Sequence, residues 1–107
     1  MTSTASFEIS TEQLAIVHDI LRRHLPTGAQ VWAFGSRVSG RVKPFSDLDL
    51  LVDAGGALTL DLSAELAEAF DESDLPFKVD IVDQHRVGAG FRAAIVNNGL
   101  LAIDFRA

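Results

Sequence analysis

Two apolar runs of β character, Leu48–Val52 and Phe77–Val82, stand on either side of a segment with helical spacing. The apolar positions of that segment are Leu62, Leu66, Ala69 and Phe70, which share one face at 3.6 residues per turn. Strands that flank a helix pair in parallel, because a parallel pair needs a crossover connection. Gln30–Phe34 is an earlier apolar run and reads as a buried strand. The stretch between it and Leu48 is too short for a full crossover, so the sheet is predicted to be mixed. The expected fold class is α/β (α+β), a small mixed β-sheet flanked by helices in a single domain over residues 1–107.

The remaining elements follow from local signals. Ser10 with Gln13 makes a capping box, and Ile9 can staple onto Leu14. Leu14, Val17, Leu21 and Leu25 repeat at helical spacing until Pro26 stops the helix. Asp61 is expected to cap the middle helix. Asp83 is expected to cap a last helix with Val87, Phe91, Ala94 and Ile95 on one face and Asn98-Gly99 at its end. Leu100–Phe105 reads as a short final strand.

Composition excludes several classes of function. Nine basic against fifteen acidic residues give a net charge of −6. Such a chain is a poor general binder of nucleic acid, which needs many Lys and Arg contacts to phosphate, so no direct nucleic-acid partner is expected. With no cysteine, disulfides, thiolate catalysis and zinc–cysteine sites are excluded. The N-terminus has neither the basic start nor the apolar stretch of a secretory signal, and no apolar run is long enough for a membrane span. A cytoplasmic location with no membrane partner is the expectation. Apolar residues together with glycine make up about 55% of the chain, above the usual range, which hints that some apolar surface meets a partner.

The chemistry concentrates in Ser46-Asp47-Leu48-Asp49-Leu50-Leu51-Val52. On a strand, Asp47 and Asp49 share a face with Cα atoms about 6.6 Å apart, while Leu48, Leu50 and Val52 point into the core. Two carboxylates at the mouth of a buried strand repel each other unless a cation lies between them. Oxygen-only donors favour a hard ion such as Mg²⁺. An isolated Asp-x-Asp at a strand end can equally begin a loop. Asp80 weighs against that reading, because it interrupts the apolar strand Phe77–Val82, where an unpartnered charge is costly. If the two strands are neighbours, Asp80 joins Asp47 and Asp49, and three carboxylates suit a two-metal site for in-line phosphoryl transfer. Asp53 and Asp83 read as structural residues, the first ending a strand and the second capping a helix.

Gly35-Ser36 follows directly on the first strand. Glycine lets the backbone approach a phosphate, Ser36 adds a hydroxyl, and a helical turn reaching Gly40 would aim free N–H groups at an anion. Arg37, Arg41 and Lys43 put three of the nine basic residues in this short stretch, a local excess suited to a triphosphate. Read alone, the segment is also compatible with an ordinary turn. Two other patterns carry less. Gly88-Ala89-Gly90-Phe91-Arg92-Ala93 matches G-x-G-x-x-A, but five residues separate it from Val82 and no second mononucleotide-binding half follows. His18, His24 and His85 lack metal-ligand spacing, and His18 and His24, on a helix with charged neighbours, read as surface residues.

Gly35-Ser36, ten intervening residues and Asp47-Leu48-Asp49 together resemble the G-S-x10-D-x-D signature of the polymerase-β-like nucleotidyltransferases. Phe34-Gly35-Ser36-Arg37, Gly40 and Ser46-Asp47-Leu48-Asp49-Leu50 are similar to the minimal nucleotidyltransferase (MNT) family, and Val79-Asp80-Ile81-Val82 to its third carboxylate strand. The resemblance spans nearly the whole chain. It implies a nucleotidyltransferase fold, Mg²⁺ as cofactor, ATP as substrate, and transfer of AMP with release of pyrophosphate. It also implies a partner, since many members are antitoxins of HEPN/MNT pairs that add AMP to a tyrosine of an HEPN ribonuclease toxin. Carried over residue by residue, Asp47, Asp49 and Asp80 are the catalytic and metal-holding positions. Asp80 also helps to deprotonate the acceptor hydroxyl, and Gly35, Ser36 and Arg37 hold the nucleotide. Two alternatives stand beside this reading: an antitoxin that works by docking alone over a weak or relic nucleotide site, and a nucleotidyltransferase for a small molecule.

Overall fold

The structure is a computed structural model and describes residues 9–35 and 47–105. In chain order, α1 (Thr11–His24), β1 (Gln30–Phe34), β2 (Leu48–Asp53), α2 (Leu60–Asp71), β3 (Val79–Asp83), α3 (Ala89–Asn98) and β4 (Leu101–Ile103) are its elements. The strands form one sheet in the order β3-β2-β1-β4. β1 runs antiparallel to β2 and to β4, and β2 runs parallel to β3. The mixed sheet and the parallel crossover through α2 agree with the sequence reading. The helical turn expected before Gly40 lies outside the described residues.

Local chemistry starts and stops these elements. Ser10 Oγ accepts the Gln13 N–H at 3.1 Å and Gln13 Oε1 accepts the Ser10 N–H at 3.1 Å, a complete capping box. Ile9 packs against the core at the entry to α1, and Leu25 caps its exit before Pro26. The core lies on one face of the sheet. Val31, Ala33, Leu48, Leu50, Val52 and Ile103 from the strands meet Val17 and Leu21 of α1 and Leu66 and Phe70 of α2. Leu48 and Leu50 are fully buried, and each contributes about 2 kcal/mol to holding β2 in register. Leu51 takes the alternate position and faces the other side of the sheet, the side of Asp49. It too is buried, though outside the main cluster.

Three expectations are corrected. The cap of α2 is Thr59, whose Oγ1 accepts the Leu62 N–H at 3.0 Å; Asp61 sits inside the first turn. Asp83 does not cap the last helix. It ends β3, is buried, and accepts the Leu58 N–H at 2.7 Å and the His85 N–H at 2.9 Å, so its carboxylate ties two loops together and α3 starts later, capped by Gly88. Phe91 is not a core residue: it is 49% exposed, and Ile95 is the buried residue of that helix. Among the described residues no helix is long and apolar enough to cross a membrane.

Candidate active site

The strand register builds the site. Phe34 of β1 pairs with Asp49 of β2, and Asp49 pairs with Asp80 of β3, so the three stand on one rung across adjacent strands. Opposed residues of neighbouring strands face the same side. Asp49 and Asp80 therefore point away from the main core, with backbones about one strand spacing, 4.8 Å, apart. Asp47 precedes β2 by one residue and is exposed, while Asp49 and Asp80 are half-buried. Because β1 runs antiparallel to β2, its end at Gly35 comes to the same edge of the sheet as the starts of β2 and β3.

Asp49 carries the electrostatic stress of this arrangement. Burial is the main cause, and the negative charges of Asp80 and then Asp47 add to it; together they push its carboxyl from 3.8 up to about 6. Gly35 lies against the same group. Its φ is +86°, in the left-handed region that favours glycine, and a Cβ there would collide with the Asp49 carboxylate, with Cγ 3.3 Å away. Backbone conformation and space thus both require glycine, whose missing side chain lets the Asp49 carboxylate lie against the end of β1.

All the carboxylate donors are oxygen, which fits a hard divalent cation. Among the described residues no group of three or more His, Asp or Glu side chains forms a ready-made cage for an ion. Asp47, Asp49 and Asp80 are all described, so the expected cluster of three carboxylates around an ion is not assembled among them; Mg²⁺ is commonly bound through one or two carboxylates plus phosphate oxygens and water. Asp49 and Asp80, neighbours on one rung, are the carboxylates the sheet brings side by side, and Asp47 stands exposed at the rim. Of the other expected residues, Ser36, Arg37, Arg41 and Lys43 lie outside the described residues.

Lys78 was missed from sequence. Its Nζ is 3.8 Å from Asp80 Oδ1. The available signal was its position two residues before Asp80, on the same face of an extended segment. A second group, at the far ends of β2 and β3, is structural. Asp53 accepts the Gly55 N–H at 3.0 Å and Gln84 Nε2 at 3.1 Å, and His85 Nε2 lies 2.6 Å from its Oδ1. The Gly55 hydrogen bond first, and His85 next, hold the Asp53 carboxyl below the usual carboxylate range. His24 Nδ1 lies 2.8 Å from the Ile20 carbonyl oxygen, a local helix contact.

Known proteins match this chain and its fold. Residues 17–104 match the family described as Polymerase beta, Nucleotidyltransferase. The chain is 46% identical over 95 residues to "Probable protein adenylyltransferase MntA" of Haemophilus influenzae, across 89% of this chain and 82% of that protein. A crystal structure of a toxin–antitoxin with AMP-PNP aligns with TM-score 0.68 and 25% identity, covering 86% of this chain and 71% of that one. The structure of a tri-AMPylated Shewanella oneidensis HEPN toxin in complex with MNT antitoxin aligns with TM-score 0.53 and 23% identity, covering 89% and 71%, a likeness of fold. Three helices on a four-stranded mixed sheet, among the described residues, are the polymerase-β-like arrangement that the resemblance implied.

Proposed function

Because this chain belongs to the polymerase β nucleotidyltransferase family, we propose that it is a Mg²⁺-dependent protein adenylyltransferase. In this reading it moves AMP from ATP to a hydroxyl, that of a tyrosine, on an HEPN-type toxin and so acts as the antitoxin. One observation carries the reading: Asp49 and Asp80 side by side on one rung, with Gly35 in close contact with Asp49. The relative that bears the protein adenylyltransferase name over most of both chains supports a protein as acceptor.

Asp47, Asp49 and Asp80 would hold the cation. When bound, it offsets the repulsion among the carboxylates and stabilises charge on the phosphates. The chain's own residues supply the remaining steps. Gly35 lets the backbone approach the triphosphate, and Ser36 and Arg37, next in sequence, complete the phosphate cradle. Asp80 takes the proton of the acceptor hydroxyl. The hydroxyl oxygen bonds to the α-phosphorus, the bond from that phosphorus to the bridging oxygen breaks, and pyrophosphate leaves.

The test is labelling of a host lysate with Mg²⁺ and either α-labelled or γ-labelled ATP. Label reaching a protein from the α position alone is the expected result and identifies the acceptor; label from the γ position alone would make this a kinase. Docking without catalysis is the competing reading, favoured by exposed Phe91 and Val96 on α3. An Asp47→Asn, Asp49→Asn double variant separates the two. It should still bind the partner but no longer silence it, whereas full inhibition would favour docking.

A further inference from the structure

Lys78 stands at the carboxylate group without being locked into it. Its carbonyl oxygen accepts the Leu48 N–H at 2.8 Å, which extends the β2–β3 ladder one residue beyond β3 and fixes the Lys78 backbone beside the start of β2. Its side chain is 67% exposed, and the 3.8 Å separation from Asp80 is an ion pair beyond hydrogen-bonding distance. Other described basic side chains are engaged elsewhere. Arg22 and Arg23 pair with Asp19, Arg86 holds Asp83 and the Leu58 carbonyl, and Arg92 donates to the Gln84 carbonyl. Among the described residues, Lys78 is thus the basic side chain placed to serve Asp80.

A loose, solvated pair is cheap to break. On the carboxylate–cation reading, Asp80 would have two claimants, the Lys78 ammonium and a divalent cation, and a doubly charged ion arriving with nucleotide would outcompete one solvated single charge. Displaced from Asp80, the ammonium remains tethered to the edge of the site where a polyanion has arrived. A lysine ammonium is a mobile point charge that binds phosphate oxygen well. We propose that Lys78 is an exchangeable counter-ion: it neutralises Asp80 in the empty site and passes to a phosphate oxygen of the bound nucleotide. Lys78 is therefore a nucleotide-positioning residue. The inference rests on the carboxylate–cation reading above.

Two binding constants, measured on the full chain, test it. Lys78→Met removes the competitor for Asp80, so Mn²⁺ alone should bind about three- to fivefold more tightly, as the loss of a surface ion pair allows. The same variant should bind α,β-methylene-ATP with Mg²⁺ about tenfold more weakly, the scale of one charge-assisted phosphate contact. Lys78→Arg should restore most of the nucleotide affinity. A purely structural role would move both constants in the same direction, and that result, or no change in either, overturns the proposal. If wild-type protein shows no Mn²⁺ binding that Asp49→Asn abolishes, the carboxylate–cation reading itself fails. If wild-type binding is intact and the Lys78→Met constants do not diverge, only the role of Lys78 fails.

Discussion

Replacing Asp49 by Asn should stabilise the metal-free protein while abolishing transfer. Burial and the neighbouring carboxylates push the Asp49 carboxyl from 3.8 up to about 6, so between those values the folded chain binds a proton that the unfolded chain has lost. Stability therefore falls as pH rises through that window and stays at its lower level above about 6. At 1.36 kcal/mol per pH unit the full effect would be about 3 kcal/mol. The side chain is only half-buried, and solvent screening cuts this to about 1–2 kcal/mol. Asparagine keeps the shape without the charge. At pH 7.5 with chelator, a chain of this size should then melt roughly 5–10 °C higher. The gain should shrink steadily below pH 6 and vanish near pH 4, where the wild-type carboxyl is protonated as well. Mg²⁺ with nucleotide should raise the melting temperature of wild type and leave the variant almost unmoved. Thermal melts from pH 4 to 8, with and without Mg²⁺ and α,β-methylene-ATP, read all of this. An Asn variant that melts at or below wild type at pH 7.5 would refute the idea that Asp49 is held in a destabilising environment.

Two other perturbations probe neighbouring restraints. Gly35→Ala must adopt a positive φ and push aside the Asp49 carboxylate, so it should lose about 2 kcal/mol in chemical denaturation; nucleotide affinity, measured by titration, should fall with it. Asp83→Ala leaves the buried Leu58 N–H without its acceptor and should cost about 2–3 kcal/mol. At a temperature where the variant is still folded, its transfer rate should match wild type, because Asp83 stands on the core-facing side of β3.

Much of this fold and site is legible in sequence where the signal is local. The Ser10–Gln13 box, the run Gln30–Phe34 and the apolar face of α2 each carry their cause within a few residues. The rung joining Asp49 to Asp80 was within reach because a helix between two apolar runs leaves the parallel pair as the simplest arrangement. What stayed hidden depends on contacts distant in sequence. Asp83 resembles a helix cap, but its strongest hydrogen bond goes to Leu58, 25 residues away. Thr59 and Asp61 are both good caps, and the choice between them depended on where α2 meets the core. Phe91 has helical spacing with Ile95, and only tertiary packing reveals that it stays exposed.

The order β3-β2-β1-β4 divides the machinery between two kinds of strand. β2 and β1, which bring Asp49 and Gly35, have partners on both sides. Their amides should exchange with deuterated solvent only when the whole domain opens. Among the described residues, β3 has a partner on one side alone, and Lys78 and Asp80 should exchange through smaller, more frequent openings. One half of the site is thus anchored by two ladders and the other by one. Under the proposed transfer, the strand held by one ladder would be the half that yields as the charge at the site changes, while the half held by two would keep its aim.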